Sequence, residues 1–123
     1  LFTLRKIYQH PIINDLMDLF GNKYKKDAII FEAGDHDQRL FFIIEGEVGI
    51  VRDGKIVSRI GPGQYFGELS LLNKVPRVAS AFVSSDWSKI IVIPEKKMKA
   101  LLAEDNTIAM SFLTNMAKKL QVT

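Results

Sequence analysis

Between Ala28 and Ile93 the apolar residues arrive in short runs, each closed by turn-forming residues such as Gly34, Gly46 and Gly54. Runs this short cannot lay down a helical face, so they read as strands joined by tight turns. Strands are expected at Ala28–Phe31, Leu40–Ile44, Val48–Val51, Ile56–Ile60, Ala79–Val83 and Lys89–Ile93. Turns are expected at 32–35, 45–47 and 84–86 between them. Asp53-Gly54 is the sharpest of these signals, because both residues tolerate the positive φ that a two-residue hairpin turn demands. Such a chain has few options: its short strands must pair antiparallel and close on each other.

The flanks have another texture. Ile12, Ile13, Leu16, Met17, Leu19 and Phe20 recur at helical spacing after Pro11, with Gly21 as a stop, giving a helix over about 10–21. Pro94 opens a second, with Met98, Leu101 and Leu102 on one side, and Glu104-Asp105-Asn106 breaks it. Ile108, Phe112, Leu113, Met116 and Leu120 mark a third, so the C-terminal helices cover about 95–121. The expected fold is mainly β with flanking α, a small antiparallel barrel or jelly roll over about 23–93. The 123 residues suit a single domain, 1–123. Neither an internal repeat nor a low-complexity segment is visible.

Composition narrows the function. A chain 47% hydrophobic and 25% charged is not disordered, and its longest apolar run, Leu40–Ile44, is far too short to span a membrane. The start lacks a basic region leading into an apolar one, so no secretory signal is expected. Because the first residue is not Met, the chain is expected to be a fragment of a longer protein. Cysteine is absent, which removes disulfides, thiolate nucleophiles and Cys-ligated zinc, and fits a reducing, cytoplasmic setting. The lysines behind the net charge of +3 are scattered or paired and form no stripe interleaved with aromatics. No nucleic-acid or membrane contact is therefore expected from this chain.

Chemistry concentrates in Gly61–Val83, where one carboxylate, Glu68, and one guanidinium, Arg77, sit in an apolar, turn-rich run. Leu69-Ser70-Leu71-Leu72 fits one or two helical turns, and a helix opening at Gly67 offers free amides and a positive dipole end to an anion. Arg77 suits bidentate bonding to phosphate oxygens, and the Leu69 and Ser70 amides can add neutral donors. A phosphate has no proton for Glu68 to accept, whereas a sugar hydroxyl does. Together the two charges suggest a ribose carrying a phosphate. The structural alternative is a Glu68–Arg77 ion pair that merely holds the loop, although burying two charges for stability alone is seldom favourable.

Other motifs give less. Gly61-Pro62-Gly63 with Gly67 has the wrong spacing for a dinucleotide fingerprint, and no Walker A pattern is present. Asp35-His36-Asp37 reads as a polar turn rather than a metal site, and neither His10 nor His36 belongs to a recognisable triad. No catalytic or metal-ligating residue is assigned, and no cofactor is expected.

Phe66-Gly67-Glu68-Leu69-Ser70-Leu71-Leu72, followed after three residues by Pro76-Arg77-Val78-Ala79-Ser80, resembles the phosphate-binding cassette (66–80) of cyclic nucleotide-binding domains. This is the module of protein kinase A regulatory subunits, catabolite activators and cyclic-nucleotide-gated channels. Phe31–Asp35 and Leu40–Val48 resemble the family's glycine-marked turns, so nearly the whole chain is covered. The resemblance implies an antiparallel β-roll (double-stranded β-helix, or jelly roll) with one N-terminal and two C-terminal helices. It further implies a non-catalytic sensor in which Phe66, Gly67, Glu68, Leu69, Ser70, Arg77, Val78 and Ala79 line the ligand. Glu68 would hold the ribose 2′-hydroxyl, while Arg77 and the amides of Ser70 and Val78 or Ala79 would hold the cyclic phosphate.

Ser70 departs from the family's commoner Ala, a harmless change if only its amide is used. In cGMP-selective members a Thr or Ser commonly follows the arginine. Val78 lacks that hydroxyl, which favours cAMP over cGMP. Phe112, Leu113 and Met116 are the candidates to cap the base. Ligand occupancy would be passed through the C-terminal helices to an effector domain or protein partner, with a homodimer through the last helix as a further option. The alternatives are a degenerate interaction module that binds no nucleotide, and the sensor half of a transcription regulator without its DNA-binding domain.

Overall fold

The computed structural model describes residues 20–68, 70 and 74–104, with the backbone alone for 101, 102 and 104. Eight strands form two antiparallel four-stranded sheets. One sheet contains β1 (Gly21–Lys25), β3 (Leu40–Glu45), β6 (Tyr65–Phe66) and β8 (Trp87–Ile93), in the order β1-β8-β3-β6. The other contains β2 (Ile29–Phe31), β4 (Val48–Arg52), β5 (Lys55–Ile60) and β7 (Ser80–Val83), in the order β2-β7-β4-β5. The first strand therefore lies beside the last and the second beside the seventh, which is the winding of a jelly roll. Helix α1 (Glu95–Glu104) follows β8 directly.

The apolar runs explain the layers. Ile90 and Val92 of β8 enter a core with Ile30, Phe31, Phe41, Ile43, Val48, Phe66, Ala81 and Val83 from both sheets. Ile91 and Ile93 are buried too, although they point to the opposite face of the strand. Three phenylalanines tie the sheets together: Phe41 stacks on Phe66 at 5.0 Å, and Phe31 tilts against both, at 5.5 and 6.0 Å. The Asp53-Gly54 turn forms as its sequence requires, with φ of 52° and 75°, joining β4 to β5.

Six strands and α1 fall where the apolar spacing places them. β1 and β6 were not expected. Gly21 does follow a helical residue, Phe20, but it also starts β1. The sequence Gly-Asn-Lys-Tyr-Lys carries no apolar alternation, and is held as a strand by its pairing with β8, from Gly21 opposite Ile91 to Lys25 opposite Trp87. β6 is too short to show a period. The helix expected before Phe20 and the one expected over 107–121, with Phe112, Leu113 and Met116, lie outside the described residues. Among the described residues no helix is long and apolar enough to cross a membrane.

The phenylalanine cluster should dominate stability. Phe41, fully buried, is expected to lose about 3–5 kcal/mol on substitution by Ala, measured by urea unfolding. A loss below 1 kcal/mol would mean that the roll does not depend on this cluster.

Candidate functional site

The site begins with a turn stitched to a distant segment. Glu32 donates its N–H to Asp35 Oδ2 at 2.9 Å, and Asp35 donates its own to the Glu32 carbonyl at 3.1 Å. Gly34, at φ 92°, gives the turn its left-handed step. Gly34 then donates to the Arg77 carbonyl, and Arg77 N–H donates to the Asp35 carbonyl, both at 2.8 Å. Ser80 Oγ accepts the Ala33 N–H at 2.9 Å. The β2–β3 connection and the segment 77–80 are thus held in register before any side-chain charge is considered.

Arg77 turns inward from this junction and is 4% exposed. Its Nη1 donates to the Gly67 carbonyl at 2.8 Å and its Nη2 to the Arg39 carbonyl at 2.7 Å. Nη2 also lies 3.3 Å from Asp37 Oδ1. The guanidinium sits 4.2 Å above the centre of the Phe31 ring, a cation–π contact in a desolvated place. Nε is buried with no hydrogen-bond partner among the described residues. Burial pulls the guanidinium below its ordinary pKa and Asp37 pulls it back, but an arginine stays charged under either influence.

Asp37 is the hinge of the electrostatics. Its Oδ1 accepts the Arg39 N–H at 3.0 Å and Arg39 Nε at 2.9 Å, while Oδ2 accepts Arg39 Nη2 at 2.8 Å. Burial acts to raise its pKa, but the Arg39 hydrogen bonds with the Arg77 and Arg39 charges outweigh it and hold the carboxyl below its ordinary value. Among the described residues, no group of three or more His, Asp or Glu side chains converges as a metal site would require. Asp35 and Asp37, on either side of His36, are engaged with Glu32, Arg39 and Arg77.

Gly67 is held by two constraints. Its φ is 89°, and an added Cβ would stand 2.8 Å from Arg77 Nη1 and 3.1 Å from both the Arg39 carbonyl and a Phe41 ring carbon. The glycine expected to let a ligand approach also lets Arg77 itself approach. Glu68 and Ser70 are helical and buried, and Lys74 donates its N–H to the Ser70 carbonyl at 3.0 Å, closing the turn. Phe66 lies in the aromatic floor, Ala79 is buried, and Val78 is 57% exposed. Leu69 lies outside the described residues. The ion pair of Arg77 runs to Asp37, and the Glu68 charge acts on it more weakly.

The sequence profile of the cyclic nucleotide-binding domain matches residues 22–105. The chain belongs to that family. The cAMP-dependent protein kinase type II regulatory subunit of Drosophila melanogaster is 30% identical over 82% of this chain and 32% of its own length. The cGMP-dependent protein kinase of Toxoplasma gondii is 33% identical over 80% of this chain and 11% of its own. This cyclic nucleotide-binding domain thus spans about a third or less of these two relatives. Among solved structures, the catabolite activator protein of Thermus thermophilus superposes with a TM-score of 0.78 at 26% identity, over 93% of this chain and 58% of its own.

Sequence reasoning pointed to Arg77 but missed Asp37, Arg39, Phe31 and Phe41, the groups that hold it in place. The available signal was chemical: a buried guanidinium needs a carboxylate, and with Glu68 assigned to a sugar hydroxyl that carboxylate had to come from elsewhere. Two outcomes follow. Gly67→Ala should cost about 1–3 kcal/mol, read as a lowered urea midpoint. A carboxyl held below its ordinary pKa adds stability that is complete above its unfolded pKa and is lost as pH falls through its folded one. Asp37→Asn should therefore remove part of the acid-induced fall in Tm below about pH 4. Parallel Tm curves for the two proteins down to about pH 2 would contradict this role.

Proposed function

We propose that this domain senses cAMP and passes occupancy of its cassette to whatever is joined to it. The observation that carries the reading is the buried Arg77 with its unpaired Nε beside the helix start at Glu68 and Ser70. A buried donor without a partner is uncommon and calls for an acceptor, and an anion satisfies a guanidinium better than a neutral group does. In this reading Arg77 and the amides of Leu69, Ser70 and Val78 or Ala79 hold the cyclic phosphate. Glu68 accepts from the ribose 2′-hydroxyl, Gly67 and Phe66 shape the wall, and Val78 faces the base without a hydroxyl to offer guanine.

Transmission has a physical route. The cassette turn ends at Lys74, whose Nζ lies 3.5 Å from Glu95 Oε1 in the first turn of α1, where Lys99 also pairs at 3.0 Å. A ligand that shifts the cassette would thereby bias the position of α1, a change of population between two helix arrangements. The named relatives include a regulatory subunit of a cAMP-dependent kinase and a cGMP-dependent kinase, and one solved relative, from Trypanosoma brucei, is the regulatory subunit of a cAMP-independent protein kinase A (TM-score 0.63, 26% identity, over 65% of this chain and 30% of its own). That last likeness keeps the interaction-module reading as the alternative.

Calorimetric titration with cAMP and cGMP tests the proposal. Heat with cAMP, and less with cGMP, is the expected outcome; heat with neither at millimolar ligand would support the interaction module instead. Arg77→Ala should weaken binding by about 2–5 kcal/mol. Because the guanidinium also joins Gly67, Arg39 and Asp37, this variant should lose stability as well. Arg77→Lys is the cleaner probe, since it keeps the charge and loses the fork. Val78→Thr should shift the affinity ratio toward cGMP by about three- to tenfold; an unchanged ratio would mean that the base is read elsewhere.

A further inference from the structure

Four strands end the two sheets: β1, β6, β2 and β5. An edge strand presents unpaired N–H and C=O groups, and proteins usually blunt it by shortness, irregularity or lysine. β6 has two residues, and β2 has three with a broken register. β1 carries Lys23 and Lys25, with no large exposed apolar side chain. β5 is also bulged, at Val57, and carries Lys55 and Arg59, but it is the longest of the four. It runs for six residues, and Ile56 and Val57 stand side by side in its middle, 46% and 58% exposed.

Among the described residues no strand pairs with the outer edge of β5. Its partners among the described residues are β4 along one side and, through Arg59, the Glu47 carboxylate at 3.0 Å. In an antiparallel pair only alternate residues send their backbone groups to the neighbour, so the others point outward here. The edge is also cationic. Arg52 of β4 faces Lys55 of β5 in register, both are exposed, and neither makes an ion pair among the described residues. Like charges directly opposite each other oppose sheet formation, and a carboxylate brought alongside would relieve them. A bulge at Val57 breaks the alternation, so Lys55, opposite Arg52, and Arg59, opposite Gly49, lie on different faces of the sheet.

We propose that β5 is a docking edge for an extended acidic segment of a partner protein, added to the sheet as a further strand. Main-chain hydrogen bonds supply the pairing. A carboxylate opposite Lys55 and an aliphatic residue against the exposed Ile56 and Val57 supply the selectivity. A second copy of this chain fits less well. In full antiparallel overlap each copy's Ile56 would face the other's Arg59, and each Val57 the other's Ser58, matching neither apolar nor charged residues.

Amide hydrogen exchange of the full chain tests this with an end-blocked peptide of alternating glutamate and valine, and its lysine–valine counterpart as control. The acidic peptide is expected to slow exchange within 55–60, with an effect that fades at high salt, and the basic peptide to leave it unchanged. Lys55→Gln should weaken the acidic peptide about two- to fivefold, and Val57→Lys should abolish the protection. Both side chains are exposed, so an unchanged Tm verifies that each variant still folds. No protection at β5, or equal protection by the two peptides, would overturn the proposal. So would concentration-dependent self-association that protects 55–60 without peptide, since the edge would then belong to a second copy. Nucleotide binding enters neither readout, so failure here is separable from failure of the cAMP reading.

Discussion

A guanidinium taken out of water must recover its hydrogen bonds from the protein, and Arg77 recovers them from three separate parts of the chain. Gly67 and Arg39 give carbonyls, Asp37 gives a carboxylate, and Phe31 lies beneath the charge. The same residue's backbone is bonded to Gly34 and Asp35. The cassette, the β2–β3 connection and the aromatic floor therefore meet at one side chain. Moving any one of them would strand a buried charge, so the wall of the site and the architecture of the roll are the same contacts.

This changes what the cassette arginine is. Sequence chemistry casts it as a ligand group waiting in a loop, with a Glu68 ion pair as the dull alternative. In the structure it is a strut of the fold, with Nε left without a hydrogen-bond partner among the described residues. The contacts to Gly67, Arg39 and Asp37 fix the guanidinium plane in advance. Gly67 follows the same logic, its missing side chain being the space that Arg77 occupies.

How much was legible follows from range. The strands at Leu40, Val48, Ser80 and Trp87, the Asp53-Gly54 turn and α1 are local, set by residue spacing and by φ preferences that neighbours cannot overrule cheaply. β1 was hidden because its lysines and tyrosine carry no period of their own and borrow order from β8. Asp37 was hidden because it reads as one member of a polar turn, and nothing in its own segment says that it will meet an arginine forty residues later. The edge position of β5 was hidden for a related reason: Ile56 and Val57 look like core until the strand order places β5 outermost.

The sequence by itself determined the short-strand architecture, the glycines at the turns and the presence of one carboxylate and one guanidinium at the family's spacing. The tertiary structure alone decided which carboxylate answers Arg77, which glycine yields it space and which strands lie at the sheet edges. Periodicity and propensity act over a turn or two of chain. The partner of a buried charge is chosen instead by sheet order and register, through which β2 and β7 bring the 32–37 and 77–80 segments together.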